Sequence, residues 1–200
     1  MNPTTGNHYH ALSIGVHWLT LALLVAVYAL IEFRGVFPKG TNAHDAMKTW
    51  HEMLGLTVFV LTFGRLALRW LFRAPPITPA PPAWQHFLAK SMHVALYAFL
   101  LVMPVLGWLM LSAKGKVIPF FGLELTPLLA PDKALAHQIE GIHETIGNIG
   151  YWLIGLHATA ALFHHYLMRD DTLVRMLPHR RARTPVIRDK RGGAVREPAA

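Results

Sequence analysis

The sequence predicts an all-α integral membrane protein folded as a four-helix bundle. Three observations carry this. Four apolar stretches are each long enough to cross the roughly 30 Å of bilayer hydrocarbon. Hydrophobic residues make up 53% of the 200 positions and charged residues only 15%, giving a mean hydropathy of +0.33. Histidines also stand within or at the ends of the apolar stretches, where ionisable side chains are rare and usually functional.

The first span is expected over about residues 13–31, with His17 one turn inside its start. Glu32, Arg34 and Gly35 end it, and a loop with Pro38 and Gly40 leads on. The second span is expected over 50–72, with Gly55 one turn after His51 and with Arg65 and Arg69 in its far half. The proline-rich run APPITPAPPA must be extended. The third span is expected over 91–111, with His93 near its start and Pro104 as a kink site. A loop of about thirty residues with Gly122, Pro127 and Pro131 leads to the fourth span, 143–168. One domain over 1–178 and a basic, disordered tail over 179–200 complete the expected organisation.

Composition narrows the chemistry. No cysteine is present, which excludes disulfides, thiolate ligation and iron–sulfur clusters. The net charge of +8 does not call for nucleic acid, because nine of the 19 Lys and Arg residues lie beyond position 168. A basic tail marks the cytoplasmic side and anionic lipid. Arg65, Arg69, Arg73, Lys90 and the tail then lie inside, against Arg34, Lys39, Lys48, Lys114, Lys116 and Lys133 outside. Both termini are therefore expected in the cytoplasm. The first apolar run is longer than a signal-peptide core and lacks preceding Lys or Arg, so it reads as a retained span.

His143 and His157 are fourteen residues apart, nearly four helical turns, and so lie about 21 Å apart on one face. One metal ion cannot bridge them, but two sites at different depths can use them. Alternating span directions put His51 level with His143 near the outer side and His17 level with His157 near the cytoplasmic side. Two imidazoles at each level suit haem, whose iron takes axial ligands on opposite faces. Zinc would want four converging ligands, and neither level offers a third. Gly147, Gly150 and Ala161 line the same face and admit a flat macrocycle or a neighbouring helix, although Gly147, Gly150 and Gly155 also suit ordinary helix packing. Haem propionates need cations: Arg65 or Arg69 for the inner site, Arg34 for the outer. The competing reading is that Arg69 and Arg73 snorkel as topology anchors, and that His93 donates to a backbone carbonyl.

The runs VHWLTLALLVAVYALIEFRGVFP, WHEMLG, MHVALYAFLLVMPVLGWLM and IHETIGNIGYWLIGLHATAALFHHYLMRDDTLVRMLP resemble bacterial cytochrome b561, over about residues 12–178. They are also similar to the cytochrome b subunits of membrane-bound hydrogenases and formate dehydrogenases. The resemblance implies a four-helix protein of the bacterial inner membrane that holds two b-type haems and exchanges electrons with quinone. Matched motif to motif, it puts iron ligands at His17, His51, His143 and His157, the four selected by spacing.

Within the family the pattern is similar to the superoxide oxidase type, which oxidises superoxide outside and reduces ubiquinone. On that reading Lys114, Lys116 and Arg34 ring the outer mouth and attract a small anion, or else form an ordinary solvated loop. Quinone is expected at the cytoplasmic end beside His164, His165 or His93, with headgroup phosphate as the other partner for the first two. A rival reading is an electron-transfer and anchoring subunit that docks an extrinsic dehydrogenase. A haem-free scaffold or proton channel is a third.

Overall fold

The structure is a computed structural model that describes residues 8–72 and 74–178. Arg73, His179 and the tail expected over 179–200 lie outside the described residues. Four long helices dominate: α1 Ala11–Phe33, α2 Asn42–Leu71, α3 Ala83–Ala113 and α4 Lys133–Phe163. All four are long and apolar enough to cross a membrane. A 3₁₀ turn, Arg34–Val36, follows α1, and a π-helical turn, His164–Met168, extends α4.

Three helices begin earlier than the apolar stretches suggest, at Asn42, Ala83 and Lys133 rather than near 50, 91 and 143. The cause is capping. The Thr41 hydroxyl accepts from His44 N, and Asp132 Oδ1 accepts from Ala134 N and Leu135 N at 2.9 and 3.0 Å. Pro82, with its extended backbone, precedes α3. Hydropathy reports where a helix meets lipid, whereas caps decide where it starts, so the polar first turns were hidden. α3 ends in a Schellman arrangement, with Lys116 N donating to Leu111 O and Gly115 N to Ser112 O. Gly115 supplies the required positive φ of 63°.

The thirty-residue loop expected before α4 is also corrected. Its middle is a two-stranded antiparallel hairpin, β1 Ile118–Phe120 and β2 Leu123–Leu125, paired Phe120 to Leu123. Phe121 and Gly122 both have positive φ, as a tight two-residue hairpin loop demands. The hairpin folds back on the bundle: Ile118 is 1% exposed and packs with Leu56 and Leu111. Trp108 Nε1 donates to Thr126 O, and Leu128 N to Ser112 Oγ, each at 3.0 Å.

A second apolar cluster, Val58, Phe99 and Leu100, holds the middle of the bundle. Gly150 of α4 faces it so closely that a Cβ would run into the Tyr28 hydroxyl and the Phe99 ring. Outward residues such as Val25, Trp152 and Leu156 are exposed and apolar, as a lipid-facing surface requires.

Both ends of the described chain meet at one end of the bundle. Tyr9 N donates to Arg175 O, and Trp18 Nε1 donates to Met176 O at 2.7 Å. Buried Arg175 also bonds the Pro75 carbonyl and pairs with Asp171, while Thr78 N donates to Asp171 Oδ1 at 3.0 Å. Residues 169–177 thus form a strap across α1, the 74–82 connector and α4. This terminal end lies opposite the hairpin end.

Candidate functional site

The bundle brings four of the predicted histidines together in two pairs. At the hairpin end, the rings of His51 on α2 and His143 on α4 have centroids 6.5 Å apart. At the terminal end, His17 on α1 and His157 on α4 repeat that separation, again 6.5 Å. An iron between two imidazole nitrogens needs about 2 Å on each side, and each ring centre lies about 1 Å further back, so a bridged pair spans roughly 6 Å. Both pairs fit. His93 on α3 stands 5.6 Å from His157, also near that spacing, so a second imidazole lies beside the inner pair. Among the described residues no three metal-ligating side chains converge. Two axial rings with a macrocycle supplying the equatorial donors therefore suit these levels better than a bare ion does.

Ring orientation differs between the pairs. His51 Nδ1 donates to Val27 O at 2.9 Å, which leaves its Nε2 lone pair free to bind metal. His143 Nδ1 is buried beside the Met103 backbone and makes no hydrogen bond of standard geometry. At the other pair, Arg65 Nη2 lies 3.1 Å from His17 Nδ1. A guanidinium only donates, so His17 Nδ1 accepts. With Nδ1 accepting, a neutral His17 ring carries its proton at Nε2. Arg65 is half-buried over the Tyr97 ring, whereas Arg69 is exposed.

A cavity of about 400 Å³ surrounds the His51–His143 pair, with Gly55, Met103, Gly107 and Gly147 in its wall. A Cβ at Gly55 would meet nothing within 4 Å, and Gly107 sits against His143 Cε1. This is the room a flat apolar group needs beside its ligands.

The predicted cations of this end are placed unevenly. Arg34 and Lys114 line the cavity, and Lys116 is exposed beside it. Lys114 Nζ is 2.6 Å from Glu140 Oε1, so its charge is largely offset. Sequence reasoning missed Lys48 and Glu52, which also line the cavity. Their spacing from His51, three residues before and one after, was the available signal. At the terminal end, His164 Nδ1 lies 2.6 Å from Asp170 Oδ2, and His165 packs on the Tyr166 ring. The Asp170 partner was also missed.

Residues 8–179 match the family profile described as prokaryotic cytochrome b561. The chain belongs to the prokaryotic cytochrome b561 family. It is 42% identical to cytochrome b561 homolog 1 of Escherichia coli (strain K12) over 175 residues, 88% of this chain and 99% of that one. It is 35% identical to the probable superoxide oxidase CybB of Yersinia pestis, covering 86% of this chain and 97% of the relative. Cytochrome b562 of Cereibacter sphaeroides is 27% identical, over 84% of this chain and 94% of its own. As a cytochrome b561 family member the chain is a membrane protein of transmembrane electron transfer, and the family's haem b matches the paired imidazoles described above.

Proposed function

We propose that this cytochrome b561 family member takes electrons from superoxide at the hairpin end and passes them to ubiquinone at the terminal end. The observation that carries the reading is the repeated 6.5 Å separation of His51–His143 and His17–His157. Two haem b groups are assigned, one to each pair. When bound, haem b would be held by His51 and His143 at one level and by His17 and His157 at the other, and would supply one-electron chemistry there. The net reaction takes two superoxide anions, one quinone and two protons to two dioxygen molecules and one quinol.

The chain's residues divide this work. His51 and His143 hold the first acceptor level, and His17 and His157 the second, about 21 Å along α4. Tyr28 and Phe99, pressed against Gly150, fill the space between the levels and exclude water from it. Arg34, Lys48, Lys114 and Lys116 give the hairpin end cationic side chains that raise the local concentration of a small anion. Arg65 balances a propionate at the inner level. His93, His164 and His165 stand at the terminal end, where an imidazole can hydrogen-bond a quinone carbonyl and exchange a proton with it. The basic side chains of that end support a cytoplasmic location for it, with the bundle in a bacterial inner membrane. The superoxide oxidase name of the Yersinia pestis relative supports the choice of donor.

Stopped-flow reduction of the purified protein by a superoxide pulse, with and without ubiquinone, tests this. Two b-type spectra per chain and rapid reduction, drained by added quinone, are expected. His51→Ala or His143→Ala should remove the haem at the hairpin end alone, and His17→Ala or His157→Ala the other alone. Reduction no faster than in a denatured haem control removes the superoxide reading, and copurification of an extrinsic dehydrogenase then becomes the next measurement.

A further inference from the structure

At the terminal end the π-helical turn His164–Met168 closes in an unusual way for the end of a membrane span. Arg169 adopts a left-handed φ of 53°, which turns the chain back so that Asp170 N donates to His164 O at 3.2 Å. The Asp170 side chain follows inward and is only 5% exposed. Its Oδ2 lies 2.6 Å from His164 Nδ1, and its Oδ1 accepts from Thr172 N at 2.9 Å. A carboxylate placed here for capping alone needs only the backbone bond. This one is divided between a backbone amide and a ring nitrogen.

We propose that Asp170 is a positioning residue for proton exchange with quinone: it holds His164 with Nδ1–H directed into the carboxylate, so that Nε2 is the nitrogen offered to the quinone headgroup. The proposal rests on the quinone reading given above and adds to it the group that sets which ring atom acts.

The argument runs through protonation states. Burial alone would raise the Asp170 carboxyl, but the hydrogen bonds from His164 and Thr172 outweigh it and hold the carboxyl below its ordinary value. At neutral pH Asp170 is ionised and can only accept. His164 Nδ1 must then be the donor. A neutral His164 presents a lone pair at Nε2, and a protonated one presents an N–H there, so the same atom takes a proton from quinol or gives one to quinone. The side chain of His164 is 22% exposed, which leaves that atom within reach of a ligand. Among the described residues no carboxylate pairs with the His165 ring, which rests on Tyr166 instead.

Two further features make the arrangement rigid and place it well. Asp171 N donates to Thr78 O, Thr78 N returns a bond to Asp171 Oδ1, and Arg175 anchors the same strap to Pro75, so the backbone just after Asp170 is pinned. His164 lies seven residues beyond His157, about 10 Å along the helix and on a similar face. For each quinone reduced, two electrons arrive one at a time through the chain. One proton passes from His164 Nε2–H to a quinone oxygen, and His164 recovers it from water at the terminal end. The second proton comes from that water.

The test uses the full-length, haem-loaded protein. In wild type, ¹⁵N-histidine spectra should show neutral His164 in the Nδ1–H form. Asp170→Asn should lower the maximal rate of quinol-driven haem reduction about tenfold or more, with the quinol concentration for half-maximal rate changed less than about twofold. Asp170→Glu should restore most of that loss. Combining Asp170→Asn with His164→Gln should add little to His164→Gln alone, because both act through one ring. An Nε2–H form of neutral His164 in wild type overturns the proposal, a result that does not require any variant to fold. So does a slow His164→Gln beside an Asp170→Asn of full rate. If His164→Gln, His165→Gln and His93→Gln all reduce at full rate, the quinone reading itself falls, and the proposal with it.

Discussion

His17 and Arg65 are joined by a hydrogen bond of 3.1 Å in which the guanidinium donates to the ring that faces His157. Arg65 carries a half-buried positive charge in the half of α2 nearer the chain ends, with Tyr97 as its other neighbour. Such a charge is costly in hydrocarbon unless an anion meets it. On the proposed reading, a carboxylate that met Arg65 would also free His17 Nδ1 from the guanidinium.

Arg65→Leu should therefore divide apo from loaded protein. Without haem, the variant loses a buried charge and should melt no lower than wild type. With haem, it should gain less thermal stability than wild type gains and show less of the His17–His157 spectrum. Melting both forms, with haem stoichiometry measured alongside, checks this. Equal gains would remove Arg65 from the site.

Gly150 gives a stability prediction. A methyl group there would enter the space of Tyr28 and Phe99, so Gly150→Ala should cost about 1–3 kcal/mol by overpacking. Phe99→Leu on the same chain should recover part of that loss, since it vacates the contested volume. Unfolding of the two single variants and the double variant decides it. Additive losses would contradict the contact.

The outer charges make a prediction of sign. Because Glu140 offsets Lys114 at 2.6 Å, Glu140→Gln should speed superoxide-driven reduction, and Lys48→Gln should slow it. Both effects should shrink as salt rises, since screening acts over about 10 Å at 0.1 M. Stopped-flow rates at low and high salt measure this. A Glu140→Gln rate below wild type would mean that the carboxylate organises the mouth rather than opposing it.

Asp170 gives the pH dependence. Its folded carboxyl is held below the unfolded value, so its contribution to stability is present above the unfolded value and is lost as pH falls through the folded one. Asp170→Asn should melt below wild type at pH 7, losing a charge-assisted bond of about 1–3 kcal/mol. The gap should narrow as the medium is acidified below about pH 4. A gap that is constant across this range would show that the carboxylate's charge contributes nothing.

Particular residues show what could be read from the chain alone. His51 and His143 were paired by nothing more than helical rise and alternating span direction, and the bundle places their rings together. His17 and His157 followed by the same arithmetic. Lys48 was assigned to a loop because apolar content begins at Trp50, and a residue assigned to a loop was not considered as a neighbour of His51. The hairpin at 118–125 escaped notice because its stability comes from Ile118 packing on Leu56 and Leu111, which are remote in sequence. His164 was singled out by its place on the α4 face. Its Asp170 partner depends on one left-handed residue at Arg169, a turn that no periodicity announces.

Both histidine pairs borrow a ring from α4, the last of the four long helices among the described residues. Neither histidine pair exists while only the first three spans are in the bilayer, and a chain arrested before residue 157 lacks the ring that faces His17. A cofactor held by these pairs would therefore be taken up in order along α4: a chain ending before residue 143 could offer neither pair, and one ending between 144 and 156 only His51 and His143.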